Sequence, residues 1–319
     1  MRVDLAHRPG ENRVDATVGG DQFTSYRWGG PDVLTKPVWY PVVAADGRAI
    51  TRGYPLDPRR GERVDHPHHV GFWLTYGTVN GYDFWNNSGG DQEGLGRIRH
   101  DEIERVESGD PAELSATADW VDPQGRRHLR EETTYRFGAD SGRRWIDRGT
   151  TLTAERDVDL SDDKEGACAV RVRSGLEHPE DGEITVVDDP AAGTTTEVDG
   201  REGRSGRYRT SDGVEGTDAW GTRARWVRLA GEVEGDPVAV TLMDHPDNVG
   251  HPTYWHARGY GLFSANPLGQ AAFTDGEERL GFALDAGEST TLCYRLAVDV
   301  DPPSPGTLEE RYRAFAGRS

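Results

Sequence analysis

The sequence is poor in cysteine and methionine, with two of each in 319 residues, and lysine is as scarce. Each scarcity excludes something. Cys168 and Cys293 lie far apart in apolar stretches and form no C-x-x-C pair, so a cysteine zinc site is excluded and two buried, reduced thiols are expected. Lysine is confined to Lys36 and Lys164, so nearly all of the 37 basic residues are arginine. Fifty-six Asp and Glu leave a net charge of −19. A surface this acidic repels phosphate backbones and argues against nucleic acid as a partner. Acidic excess with scarce lysine also suits a GC-rich genome and a high-salt cytoplasm. No apolar run approaches the roughly 20 residues needed to cross a bilayer. Met1–His7 holds no apolar stretch of signal-peptide length. A cytoplasmic protein with no membrane partner is the expectation.

What is present is a period of two. Arg13–Val18, Gln22–Trp28, Val38–Val43, Val70–Tyr76, Glu113–Val121, His128–Phe137, Trp145–Ala154 and Ala169–Val172 read as strands. So do Ile184–Val187, Ala224–Val233, Val238–Met243, Gly261–Ala265, Leu280–Leu284 and Thr291–Val300. Asp46-Gly47, Pro123-Gln124-Gly125, Asp181-Gly182 and Asp212-Gly213 are turn signals. One helix is expected near the C-terminus, capped by Thr307 with Glu310 three residues on and ended by Gly317. Ser88–Arg99 and Pro190–Thr217 read as surface loops, the second with the composition of a lid. With no linker between two composition regimes, the expectation is one all-β domain over 1–319, a large antiparallel β-sandwich with a short C-terminal helix.

Six of the ten histidines fall in two segments. The first contains Asp65-His66-Pro67-His68-His69-Val70-Gly71-Phe72-Trp73 and runs on to Asp83-Phe84-Trp85-Asn86. Imidazoles supply groups that titrate near neutrality. Aromatic faces beside amides can stack on a sugar ring while binding its hydroxyls. In an extended chain His66 and His68 share a face and His69 takes the other. The second segment, Asp244 to Tyr260, holds His245, His251, Tyr254, Trp255, His256 and Arg258. A third feature is Asp162-Asp163-Lys164-Glu165-Gly166, where a lysine in an arginine-using chain sits among carboxylates. Lys164 with Glu165 can form an acid/base pair if buried. Glu131, Glu132, Arg171 and Arg173 are further charged candidates on neighbouring strands.

These blocks resemble the PmoA-like family of unknown function: Asp65-His66-Pro67-His68-His69-x-Gly71-x-Trp73, Asp83-Phe84-Trp85, Asp163-Lys164-Glu165-Gly166 and His251-Pro252-x-x-Trp255-His256-x-Arg258-x-Tyr260-Gly261-Leu262-Phe263. The resemblance spans about Trp39 to Asn266. Its common label, methane oxygenase PmoA, belongs to multi-span membrane proteins and is incompatible with a chain lacking any span. The resemblance implies a galactose-mutarotase-like supersandwich and a place in carbohydrate metabolism.

The combined expectation is a carbohydrate-active enzyme, an epimerase, lyase or hydrolase on a sugar or oxidised sugar. His68 and His256 form the acid/base pair, with His66, Lys164 and Glu165 supporting the chemistry. His69 and His251 orient or bind the substrate, and Trp73, Trp85, Asn86, Tyr254, Trp255 and Arg258 form the sugar-binding wall. Two alternatives stand beside this: a non-catalytic carbohydrate-binding protein, and a metal enzyme with His66, His68 and Glu165 as ligands to a divalent ion. No cofactor is otherwise implied, and the oligomeric state is left open.

Overall fold

Alternating apolar positions and frequent turn residues drive most of the chain into antiparallel strands. The computed structural model describes residues 1–29, 34–86 and 93–317. In chain order the strands are β1 Val3–Arg8, β2 Arg13–Val18, β3 Asp21–Arg27, β4 Val38–Val42, β5 Phe72–Tyr76, β6 Arg97–Glu107, β7 Ala112–Val121, β8 Arg127–Ala139, β9 Arg143–Ala154 and β10 Val158–Leu160. They continue as β11 Gly166–Arg171, β12 Glu183–Asp189, β13 Thr194–Asp199, β14 Arg207–Thr210, β15 Arg223–Ala224, β16 Trp226–Val233, β17 Asp236–Asp244, β18 Thr253–Ala257, β19 Leu262–Asn266, β20 Phe282–Leu284 and β21 Ser289–Asp299. Helices are α1 Gln270–Phe273 and α2 Pro305–Ala316.

Two sheets carry the architecture. The first has nine strands in the order β1-β2-β3-β4-β5-β11-β19-β18-β15, and the second has eight, β14-β16-β17-β21-β9-β8-β7-β6. They pack face to face. Trp39 and Phe72 of the first sheet share one buried cluster with Leu114, Tyr135, Phe137, Ile146 and Leu296 of the second. Trp39 meets the Tyr135 ring at 5.0 Å and Phe137 at 4.9 Å, edge to face. Helix α2 lays Leu308, Tyr312 and Phe315 on Trp226 and Met243 of the second sheet. Among the described residues no helix is long and apolar enough to cross a membrane.

The all-β architecture and the C-terminal helix are as expected, and four local readings need correction. The helix is capped by Ser304, whose Oγ accepts from the Thr307 N–H at 3.1 Å, so Thr307 lies inside the first turn. Pro190–Thr217 is no lid: β13 pairs with β12 as a hairpin and β14 is an edge strand on β16. Exposed and edge strands bury little, so they lack the apolar alternation that marks a strand. Of Ser88–Arg99, residues 88–92 lie outside the described residues, while β6 already begins at Arg97. Finally, Thr253–Ala257 is a strand. Both cysteines are free, Cys168 fully buried and Cys293 half-buried.

The strands that matter most for the site are β5, β11, β19 and β18, which lie side by side. Every residue of all four is buried, because both faces of the sheet are covered.

Candidate functional site

Strand register decides which side chains share a face. Across the four central strands Trp73 pairs with Ala169, Ala169 with Ser264, and Ser264 with His256. One step along, Arg171 pairs with Leu262, its N–H donates to the Gly71 carbonyl, and the Arg258 N–H donates to the Leu262 carbonyl. These two rows, Trp73/Ala169/Ser264/His256 and Gly71/Arg171/Leu262/Arg258, occupy the face turned away from the second sheet. The opposite face, with Phe72, Val170, Phe263 and Trp255, belongs to the inter-sheet core. The site face therefore has large side chains at either end and the small Ala169 and Ser264 between them.

The Trp73 end is aromatic. The chain turns at His66, whose φ is +40°, and the His69 N–H closes on the His66 carbonyl at 3.0 Å. The segment is not extended there, so all three imidazoles converge. His66 stacks on His69 at 4.8 Å with an interplanar angle of 3°, and His68 meets His69 edge-on at 4.3 Å. His69 stacks against Trp73 at 5.5 Å, and Trp85 Nε1 donates to His69 Nε2 at 3.1 Å. Arg171 Nη1, which can only donate, faces the other ring nitrogen, Nδ1, at 3.4 Å, so donors approach His69 from both sides. Beneath this wall is Lys36, only 3 % exposed, with Nζ donating to the His68 carbonyl at 3.1 Å and lying 5.6 Å from the Trp73 ring centre. Burial pulls Lys36 down to about 7, with Asp83 partly opposing.

The other end is built around His256, which is 1 % exposed. Glu165 Oε2 lies 3.6 Å from His256 Nδ1, and Lys164 Nζ donates to Glu165 Oε1 at 2.5 Å. Neither ring nitrogen of His256 has a hydrogen-bond partner of good geometry, although the Lys164 backbone also faces the ring. Burial first, then Arg258 and Lys164, push His256 down to about 3. His68 is pushed to about 2 by burial, Lys36 and His66, and His69 falls well below its ordinary value mainly by burial. All three imidazoles are neutral at pH 7.

The two histidine segments do meet. Tyr260, from the turn between β18 and β19, stacks on His66 at 4.9 Å, and Arg171 lies over its ring at 4.7 Å. Tyr260 and Arg258 are hydrogen-bonded through their side chains, and His66 lies close enough to His256 to affect its charge. His68, by contrast, makes its ring contacts with His66 and His69 on the far side of that junction. The carboxylate beside His256 is that of Glu165.

Behind the histidines runs a buried charge network. Asp65 Oδ1 takes Arg52 Nη1 at 2.5 Å and Arg171 Nη2 at 2.7 Å, while its Oδ2 lies 3.1 Å from His66 Nδ1. Burial opposes its ionisation, but His66, Arg171 and Arg52 hold the carboxyl far below the usual range. Glu177 is fully buried and joins Arg63 at 2.8 Å and Arg204 at 2.9 Å. Replacing Glu177 by Ala strands those guanidiniums and should cost about 3–5 kcal/mol. Glu180, exposed and bonded to the same Arg63, should cost under about 1 kcal/mol when replaced by Ala. Denaturant midpoints of the two variants check this; equal losses would mean that the network is solvated.

Several expected site residues lie elsewhere. Trp255 points into the core, its Nε1 donating to the Ala224 carbonyl at 2.9 Å, because adjacent positions on β18 face opposite ways. His251 Nδ1 is bound to the buried Asp244 at 2.7 Å and Nε2 faces Tyr312, so it ties β17 to α2. Asn86 is an exposed turn residue bonded to Asp83. Tyr254 shares the site face but is engaged by Phe273, Arg223 and Glu278. Lys164 is 43 % exposed rather than buried. Glu131 faces the inter-sheet core, bonded to Arg148 and Trp120, and Arg173 pairs with Glu234. Among the described residues no three His, Cys, Asp or Glu side chains converge to hold a metal, and the His66 and His68 rings stand nearly perpendicular, 5.7 Å apart. Sequence reasoning missed Lys36, Arg52 and Glu177. Lys36 had a legible signal, since the rarity that drew attention to Lys164 applies to it equally.

A separate groove of about 560 Å³ lies on the outer face of the second sheet, between hydroxyl rungs such as Ser115–Thr134 and Thr151–Thr291. Its Glu113 and Asp147 are ion-paired to Arg136 and Arg295, and Glu104, Glu132 and His245, whose Nε2 is buried without a partner, line it as well.

Fold and site together define a two-sheet, all-β protein with a cation-rich histidine–aromatic site on the outer face of one sheet. The chain belongs to the family described as "Family of unknown function (DUF6807)", whose model matches residues 13–313. No methane-oxygenase description accompanies the match. No curated protein matches the chain. Among solved structures it is similar to a galactose mutarotase-like protein from Clostridium acetobutylicum, with 11 % identity over 93 % of this chain and 98 % of that one and a TM-score of 0.41. A galactose mutarotase-like protein from Lactobacillus casei gives 9 % identity over 93 % and 99 %, with a TM-score of 0.36. The galactosidase domain of an alpha-galactosidase-sucrose kinase gives 9 % identity and a TM-score of 0.40; 93 % of this chain is covered but only 41 % of that one. Likeness at this level carries no argument about activity, which rests on the site.

Proposed function

We propose that the protein is a carbohydrate-active enzyme that moves a proton on a bound sugar, with His256 as the acid/base group and Glu165 as its partner. The observation that carries this reading is His256 itself: buried, unpaired at both nitrogens, backed by a carboxylate, and on the same sheet face as Trp73. Three strand spacings, about 14 Å, separate the Trp73 and His256 backbones. Across that interval the His69, His66 and Tyr260 rings stack in turn from Trp73, and a sugar would lie against this stack near His256. Trp73 Nε1, a donor, and His68 Nε2, a donor or acceptor by tautomer, are buried with no partner and would take sugar hydroxyls. Unpaired buried polar atoms are costly, and sites built to bind polar ligands tolerate them.

One observation favours a second reading, sugar binding without turnover. A histidine held near 3 is a weak base, and catalysis works best with a group poised near the working pH. A thermal-shift panel of monosaccharides, glycosides and 3-keto-sugars, followed by product analysis of each stabilising compound, separates the two. Stabilisation of several degrees by one sugar class with product formation is expected. Stabilisation without product supports the binding reading, and a flat panel refutes both.

A further inference from the structure

We infer that the sugar taken by this site is acidic, and that its carboxylate is bound by Arg258. The inference rests on the sugar-binding reading above and narrows it to one substrate class. Its first support is the local charge balance. The residues around the histidines and the adjoining network bring Lys36, Arg52, Arg63, Lys164, Arg171, Arg204 and Arg258 together with Asp65, Asp83, Glu165, Glu177 and Glu180. His68, His69 and His256 are neutral, and with Asp163, which accepts the Glu165 N–H, seven cations face six anions in a chain whose net charge is −19. An excess of positive charge, largely buried, in an otherwise acidic protein calls for an anion from outside.

The second support is how the carboxylates are used. Asp65 is divided between Arg52 and Arg171, Glu177 Oε2 between Arg63 and Arg204 with Oε1 3.9 Å from Arg171, and Glu165 is held by Lys164. Glu180, beside the turn at Gly259, is taken by Arg63 at 2.5 Å. That leaves two cations with no ion pair among the described residues: Lys36, whose Nζ bonds the His68 carbonyl, and Arg258. Arg258 has its Nε buried without a partner, and its contacts are the Tyr260 hydroxyl and the Trp220 ring at 5.9 Å. A guanidinium fork with free donors is the side chain best shaped to take a carboxylate in two parallel hydrogen bonds.

The third support is position. Arg258 lies two residues beyond His256 on the same face, so a carboxylate held there places the adjoining sugar carbons beside the His256–Glu165 pair. The unpartnered buried atoms on this face, including Trp73 Nε1, His68 Nε2 and Arg171 Nε, are donors or can become donors. A bound carboxylate would also offset the Arg258 and Lys164 charges that depress His256, returning its basicity towards the working range. The weakness of His256 as a base in the free protein then has a cause and a remedy.

The test is calorimetric titration of the full chain with methyl glucuronide and methyl galacturonide, their neutral methyl glucoside and galactoside counterparts, and acetate and phosphate as sugar-free anions. At least about tenfold tighter binding of one uronide than of its neutral counterpart is expected, from one charge-assisted bidentate contact. Arg258→Gln should erase that preference, so that the variant binds the uronide no more tightly than its neutral counterpart. Arg258→Lys, which keeps the charge without the fork, should retain part of it and serves if the Gln variant misfolds. Equal or tighter binding of the neutral glycosides overturns the acidic-sugar inference and leaves the sugar site standing. Acetate or phosphate binding as tightly as the uronides, or no sugar binding at all, overturns the sugar reading and the inference with it.

Discussion

Replacing His256 by Gln should lower kcat on the sugar identified by the panel by at least about 10²-fold, with KM changed far less. General acid–base groups contribute about 10²–10⁴-fold, and His256 is the one imidazole here that is buried, unpaired and backed by a carboxylate. Glutamine fills nearly the same volume and can keep a hydrogen bond to a ligand, but it cannot take up and return a proton. The fold should survive, because the ring makes no hydrogen bond of good geometry that the variant would lose, and a melting point within a few degrees of the parent is expected. Glu165→Gln should show a similar but smaller loss, since it perturbs the partner and leaves the base. Full turnover by His256→Gln would move His256 from chemistry to binding. A loss confined to KM would point the same way.

The stability of the protein should fall steeply between pH 7 and pH 5. His68, His69 and His256 are buried in neutral form, with His68 near 2, His256 near 3 and His69 well below its ordinary value. In the unfolded chain each titrates near 6.5. As pH drops through that value the unfolded state binds protons that the folded state refuses, so the unfolded state is stabilised relative to the folded one. Each such histidine removes up to about 1.9 kcal/mol between pH 7 and 5, and the three together up to about 6 kcal/mol. That is comparable with the whole stability of an ordinary domain. The strongly depressed carboxylates, such as Asp65, act in the same direction but only below about pH 4, where unfolded carboxylates begin to protonate. Denaturant titrations at pH 7, 6 and 5 give the slope, and His256→Gln should reduce it by about 1.4 kcal/mol per pH unit below the unfolded pKa. A flat profile would mean that the histidines are solvated or charged in the folded state.

Much of the protein is written in its sequence. A period of two with Val, Thr and aromatic residues, broken by glycine and aspartate turns, specifies an antiparallel β protein, and the strands of the second sheet fall close to where that pattern puts them. The His66–Trp73 segment, Lys164-Glu165 and His256–Arg258 stand out by composition, and all three border the same sheet face. What sequence alone could not decide was direction. The central strands β5, β11, β19 and β18 are buried on both sides, so they carry no polar–apolar alternation to tell one face from the other. Pairing of β5 with β11 and of β11 with β19 joins segments about a hundred residues apart, and only that pairing sends His256 to the site and Trp255 to the core. The same long-range packing buries Lys36 under Trp73 while leaving Lys164 at the surface, although the two looked alike as rare lysines. Residue chemistry is local and could be read directly; burial and partnership come from the rest of the chain, and they set both the charge state of each histidine and which cations are left unpaired.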